Sequence, residues 1–220
     1  MTTTVITGAN RGIGLELARQ TMARGDDVIA ICRHVSPELR RLDARIVDGI
    51  DVGTDWSVQD LASLLAGIRI DTLINNAGVL SRQSLDNLDW DAMRVQIEVN
   101  ALGPLRVTSA LSPMLNRGAK VAIITSRMGS ITDNTSGGHY GYRMSKAAVN
   151  IAGVSLAHDL KSQGVAVILL HPGYVSTDMT NHSGTVKPDE SARGLLQRID
   201  ELTLESSGEF RHMSGELLPW

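Results

Sequence analysis

The chain has 220 residues, 42% of them apolar and 20% charged, with a formal net charge of −3. That length and balance fit one soluble domain with a sizeable core, and charge of both signs is interspersed, which argues against a surface for nucleic acid or membrane. Its single cysteine, Cys32, excludes an intrachain disulfide framework and fits a reducing compartment, so a cytoplasmic location is expected.

The opening Met1-Thr2-Thr3-Thr4-Val5-Ile6-Thr7 has neither the basic region nor the long apolar stretch of a signal peptide, and the longest apolar run, 165–170, is too short to cross a bilayer. Short β-branched runs predict strands over 4–7, 27–32, 44–51, 71–75, 120–125 and 165–170. Helical periodicity between them predicts helices over 12–24, 57–66, 90–115 and 142–162, with a last helix over 190–204. Alternation of this kind specifies an α/β fold, a doubly wound parallel sheet in a single domain over 1–220. The Pro- and Gly-punctuated stretch 172–188 reads as a mobile loop, and 208–220 as an edge strand with an aromatic tail.

At the first strand–helix junction stands Gly8-Ala9-Asn10-Arg11-Gly12-Ile13-Gly14. Glycines here permit a tight turn and a close backbone approach to a pyrophosphate, whose charge a helix N-terminus favours. The spacing is Gly-x-x-x-Gly-x-Gly, and a close helix–strand crossing would use the same residues. At the end of the second strand, where NAD enzymes commonly carry an acidic residue, the chain has Cys32-Arg33. A guanidinium there pairs with a 2′-phosphate that a carboxylate would repel, and Arg11 adds a second cation, so NADP(H) is expected over NAD(H). Solvated surface arginines are the alternative. Asp51-Val52, at the expected end of the third strand, could accept from an adenine amino group. Asn75-Asn76-Ala77-Gly78 ends the fourth strand with small residues beside which a cofactor can lie, and is also an ordinary strand-ending turn.

Tyr142-Arg143-Met144-Ser145-Lys146 places a phenol and an ammonium four residues apart, on one face of a predicted helix. With three Tyr and four Lys in the chain, chance supplies that spacing in roughly one such chain in twenty. A cation beside a phenol lowers its pKa toward the working pH, which suits proton transfer.

Thr7-Gly8-x-x-x-Gly12-x-Gly14, Asn75-Asn76-Ala77-Gly78, Asn100, Ser126, Tyr142-x-x-x-Lys146 and Pro172-Gly173 stand in the order of the short-chain dehydrogenase/reductase family, which the chain resembles over essentially its full length. The resemblance implies Tyr142 as general acid/base, Lys146 on the nicotinamide ribose hydroxyls, Ser126 on the substrate oxygen and Asn100 positioning a water in a relay through Lys146. It also implies nucleotide contacts from Gly8, Asn10, Arg11, Gly12, Ile13, Gly14, Arg33, Asp51, Val52, Asn76, Ala77 and Gly78. Pro172, Gly173, Val175 and Thr177 are implied at the nicotinamide, with 174–188 as the substrate loop. No metal is expected. Ser126 also reads as a turn former and Asn100 as a buried backbone hydrogen bonder, while His171 reads as a strand-end packing residue.

Two departures refine the resemblance. Ser126 and Tyr142 are farther apart than is usual in the family, with a polar loop at 133–139, and little chain follows Pro172-Gly173 to form a lid. With Ser126-Arg127-Met128-Gly129-Ser130-Ile131 and the aromatic C-terminus, these features resemble the branch of C-factor-like and sniffer-like carbonyl reductases. The implied activity is NADP(H)-dependent reduction of an aldehyde or ketone to an alcohol, by a homodimer or homotetramer. A 3-oxoacyl thioester reductase and a cofactor-binding signalling protein are the alternatives.

Overall fold

The computed structural model describes residues 2–220. Seven strands form one sheet in the order β3-β2-β1-β4-β5-β6-β7, and every neighbouring pair is parallel. They are β1 (Thr3–Thr7), β2 (Asp27–Ile31), β3 (Arg45–Val47), β4 (Ile70–Asn75), β5 (Leu115–Ile124), β6 (Ala166–His171) and β7 (Phe210–His212). The helices are α1 (Gly12–Ala23), α2 (Pro37–Arg40), α3 (Asp55–Leu64), α4 (Trp90–Ile97), α5 (Gly103–Leu111), α6 (Tyr140–Leu160) and α7 (Pro188–Glu201).

Strands buried on both faces explain the continuous apolar runs, because each face needs its own covering layer. Val5, Leu73, Val121 and Val167 turn to the side of α3, α5 and α6, where Leu61, Val107 and Val149 meet them. Ile6, Ile74, Ala122 and Ile168 turn to the side of α1 and α7, against Leu17 and Leu195. Burial of each of these Val, Leu and Ile side chains contributes about 1.5–3 kcal/mol. After β3, at one edge, the chain returns to place β4 on the other side of β1. The strand order therefore reverses beside β1, and a crevice opens there at the carboxyl ends of the strands.

Two expectations need correction, and one short helix was not anticipated. The span 90–115 is not one helix: α4 gives way to a π-helical turn at Glu98–Leu102, α5 ends at Leu111, and Leu115 already belongs to β5. Pro104 is one cause, since it lacks the N–H that an α-helix would donate to the Asn100 carbonyl. The third strand ends at Val47, not near 51, so Asp51 and Val52 sit on the loop leading to α3. The short α2, capped by the Ser36 hydroxyl accepting from Leu39 N–H, was not predicted.

Candidate active site

The glycine turn takes its shape from β1 and β4. Thr7 Oγ1 accepts from the N–H groups of Asn76 and Ala77, at 3.0 and 3.1 Å, which ties the two strand ends together. Asn76 Nδ2 returns hydrogen bonds to the carbonyls of Thr7 and Gly8. Gly8 and Gly12 have positive φ, 67° and 55°, and a Cβ on Gly14 would overlap the Gly8 carbonyl oxygen. The turn delivers the N-terminus of α1 to the crevice with no side-chain cap, so its first N–H groups and the positive end of the helix dipole are available to an anion.

The crevice is a cleft of about 620 Å³. Gly8, Asn10, Arg11, Gly12, Ile13 and Gly14 line its turn. Arg33, Asp51 and Val52 line one end, while Tyr142, Lys146 and Pro172 line the other, with Asn76, Ala77 and Gly78 between them. Thr177, Asp178 and Met179 overhang it from the segment after β6. The expected nucleotide residues thus converge on one elongated site with a helix N-terminus along its length, a shape and charge that fit a dinucleotide.

Three expected contact residues are otherwise engaged. Both cations expected to select the cofactor face carboxylates: Arg11 donates to Asp178 at 3.2 Å, and Arg33 lies 3.8 Å from Asp51. Both pairs are solvent-exposed, so each contributes little stability and either arginine can change partner cheaply. Val175 is buried, and its carbonyl accepts from Thr180 Oγ1 at 2.7 Å, so that oxygen serves the loop.

Helix α6 carries Tyr142 and Lys146 on one face, with the Lys146 ammonium 5.7 Å from the Tyr142 ring centre. Lys146 is buried and donates to the Ile124 carbonyl at 2.9 Å. Burial pushes its pKa down to about 8. The Tyr142 phenol, which the spacing alone would lower, is pushed up to about 12 by burial, with the neighbouring Ser126 hydroxyl pulling the other way. Ser126 is buried just past the end of β5, and its Oγ accepts from Met128 N–H at 3.1 Å. It is thus a turn former as well as a neighbour of the phenol.

Asn100 is fully buried in the π-helical turn. Its Oδ1 accepts from Val79 N–H, and its Nδ2 donates to the Val79 carbonyl and to Ser145 Oγ. Its side chain is therefore a clamp on backbone. His171 packs against His212, ring centres 5.2 Å apart, and burial pushes its pKa down to about 3, which leaves it neutral. Sequence reading did not identify Ser81, Gln83 or Gln96, which join 81–83 to α4 and the start of α6, nor the Arg127–Glu216 pair, 3.1 Å, that ties the C-terminal segment to the turn after Ser126. Their only signal is amide or charge content in polar stretches, which by itself points nowhere. Among the described residues no cluster of metal-ligating side chains occurs, and no helix is long and apolar enough to cross a membrane.

The family model for short chain dehydrogenase matches residues 2–187. The chain is 46% identical, over 100% of both chains, to a 1-hydroxy-2-glutathionyl-2-methyl-3-butene dehydrogenase of Rhodococcus sp.. It is 49% identical to the C-signal of Myxococcus xanthus over 69% of this chain and 93% of that one. Among solved structures, an NADPH-bound carbonyl reductase from chicken fatty liver superposes with a TM-score of 0.89 at 30% identity, covering 100% of this chain and 99% of that one. The carbonyl reductase Sniffer of D. melanogaster superposes with a TM-score of 0.91 at 27% identity, covering 100% of both. Motif order, sheet topology and these likenesses agree, and the chain belongs to the short-chain dehydrogenase/reductase family, in its C-signal-like and Sniffer-like branch.

Proposed function

We propose that the chain is an NADP(H)-dependent oxidoreductase that reduces an aldehyde or ketone to an alcohol, with Tyr142 as the proton donor. The observation that carries this reading is that Tyr142, with the Lys146 ammonium 5.7 Å from its ring centre, lines the same cleft as the glycine turn. A bound nicotinamide dinucleotide supplies the hydride. Tyr142 gives its proton to the substrate oxygen as negative charge develops there, and Ser126 donates a second hydrogen bond to the same oxygen. Lys146 holds the ribose hydroxyls, and its charge stabilises the tyrosinate left behind. Asn100 serves through its clamp on Val79, while its carbonyl, which receives no N–H from Pro104, is the atom suited to hold a relay water. Arg11 and Arg33 exchange their carboxylate partners for a 2′-phosphate, the basis for preferring NADP(H). The segment 174–188 overhangs the substrate.

Helices α4, α5 and α6 leave Val95, Leu105, Met144 and Ile151 exposed, which supports a homodimer or homotetramer packed through them. The reduced, buried Cys32 suits a cytoplasmic location.

Full-length identity to a dehydrogenase of a glutathionyl alcohol supports a second reading, oxidation of an alcohol that carries a thioether conjugate. The likeness to C-signal keeps a signalling role beside turnover in view. A thioester reductase has less support, because Arg127 is paired with Glu216 and Asp133, and Arg143 donates to the carbonyls of Gly137 and Met128.

The test is NADPH and NADH consumption with aldehydes, ketones, diketones and 3-oxoacyl thioesters. NADP+ reduction with glutathionyl alcohols runs in parallel, with Tyr142→Phe beside the native chain. Carbonyl reduction that Tyr142→Phe lowers by at least about 100-fold is the expected result. Full activity in Tyr142→Phe would overturn the donor assignment, turnover of the alcohols alone would favour the second reading, and tight NADPH binding with no turnover would favour a signalling role.

A further inference from the structure

Helix α6 bears the proposed proton donor in its first turn, yet nothing in its own sequence caps that turn. His139, its N-cap, is left-handed, with φ 49° and ψ 39°, and makes no side-chain cap hydrogen bond. The N–H groups of a first turn must find partners elsewhere when they are buried. They find one in Gln83, which is 56 or more positions earlier in the chain. The Gln83 carbonyl accepts from His139 N–H at 2.8 Å, and Gln83 Oε1 accepts from Gly141 N–H at 3.3 Å.

Gln83 is itself fixed. Its Nε2 donates to Ser81 Oγ at 2.5 Å, and Gln96 Nε2 donates to the same oxygen at 2.8 Å. Gln96 Oε1 accepts from Ser81 N–H at 3.0 Å. Gln83 and Gln96 are 5% and 1% exposed, so these amides have little water to turn to. Their location is equally specific: a Cβ on Gly141 would lie 2.5 Å from Gln96 Nε2, so α4 and α6 touch at the residue preceding the phenol. On the other side of Tyr142, its carbonyl accepts from Ser145 Oγ at 2.8 Å, and Ser145 accepts from Asn100. The backbone around the donor is held from one side by Gln83 and from the other by Ser145 and Asn100.

We propose that Gln83 is a positioning residue for the proton donor: it caps α6 from outside the helix and, with Ser81 and Gln96, sets the angle at which Tyr142 enters the cleft. This rests on Tyr142 being the donor. Gln83 touches neither substrate nor cofactor in this role. A small displacement of a reacting group is enough to lower turnover by up to about 100-fold.

The experiment compares Gln83→Met, which fills the same space and keeps the backbone carbonyl for His139 N–H but lacks the side-chain hydrogen bonds, with Gln83→Glu, which keeps an acceptor for Gly141 N–H and lets Ser81 donate back to it. kcat and KM are measured with a 1,2-diketone and saturating NADPH, and NADPH affinity by fluorescence. The Tyr142 titration is followed by tyrosinate absorbance against Tyr142→Phe. Gln83→Met should lower kcat about 10- to 100-fold with KM and NADPH affinity within about twofold, and Gln83→Glu should recover it to within about threefold. Unchanged kcat in a folded Gln83→Met, or Gln83→Glu no better than Gln83→Met, overturns the proposal. Should the native chain reduce no carbonyl, the donor reading fails on that result, and the phenol titration decides the positioning separately. A shifted Tyr142 midpoint in Gln83→Met supports it, and an unmoved one overturns it. If Gln83→Met does not fold, Ser81→Ala, a smaller change at a less buried site, is read by the same criteria.

Discussion

Asn100 holds the peptide of Val79 from both sides, its Oδ1 accepting the N–H and its Nδ2 donating to the carbonyl, each at 2.8 Å. A side-chain amide carries one donor and one acceptor side, so it pairs with the N–H and C=O of a single residue, spanning two successive peptide groups, as a neighbouring strand would. Asn100 thereby fixes the backbone just after Asn76-Ala77-Gly78. Gly78 is approached closely as well, since a Cβ there would lie 3.3 Å from Asn100 Oδ1.

Asn100→Leu keeps the volume and removes the clamp. It leaves the Val79 peptide and the Ser145 hydroxyl short of partners, at about 1–3 kcal/mol for each buried group left unpaired. Urea unfolding should show a loss of about 3 kcal/mol or more, together with weaker NADPH binding. A loss under about 1 kcal/mol would mean that the Val79 peptide finds water instead.

Stability should depend on pH through Tyr142 and Lys146 of α6. The folded pKa of Lys146 is lowered to about 8, so the unfolded chain binds more protons between about pH 8 and 10.5, and stability rises with pH across that window. The folded pKa of Tyr142 is raised to about 12, so the unfolded chain loses its proton first, and stability falls from about pH 10 to 12. Unfolding measured by denaturant without added nucleotide should give a rise followed by a fall. Lys146→Met should flatten the rise and leave the fall.

Gly14→Ala forces a methyl group into the Gly8 carbonyl, a backbone atom that cannot rotate away. The turn must open, so NADPH affinity should drop by at least about tenfold while the far end of the sheet keeps its structure. Isothermal titration with NADPH, beside circular dichroism, reads both. Unchanged affinity would show that the turn is not the pyrophosphate cradle.

Arg33→Asp should raise the ratio of NADH to NADPH efficiency by about 10- to 100-fold, because it replaces a cation for the 2′-phosphate with a charge that repels it. Arg11→Ala should weaken NADPH and spare NADH. Steady-state kinetics with both nucleotides checks each ratio, and an unmoved ratio in both variants rejects the phosphate pairing.

Ile151 is 67% exposed on α6. If α4, α5 and α6 pack against a second copy, Ile151→Glu buries a charge in that interface and should shift the chain to monomers in analytical ultracentrifugation. An unaltered sedimentation profile would place any interface elsewhere.

Much of this protein is readable along one line of residues. Strand apolarity, the spacing of Gly8, Gly12 and Gly14, and the four-residue step from Tyr142 to Lys146 are local patterns, and local patterns determine which face of an element a residue occupies. They place the glycine turn between β1 and α1 and put Tyr142 and Lys146 on one face of α6, and the doubly wound fold follows from the same patterns. The helix break at Glu98–Leu102 was legible in Gly103-Pro104, but a strong apolar period on both sides masked it.

What only the tertiary structure decided concerns partners distant in sequence. The Tyr142 pKa depends on how much protein surrounds the phenol, and burial pushes it up, opposite to the direction read from spacing. Whether Arg11 faces solvent or Asp178, and whether Asn100 holds water or the Val79 peptide with its side chain, depends on loops that the sheet brings together. The cap on α6 comes from Gln83, whose sequence neighbours give no sign of it. Desolvation and buried hydrogen bonding are set by the density of atoms in three dimensions, and no periodicity along the chain encodes that density.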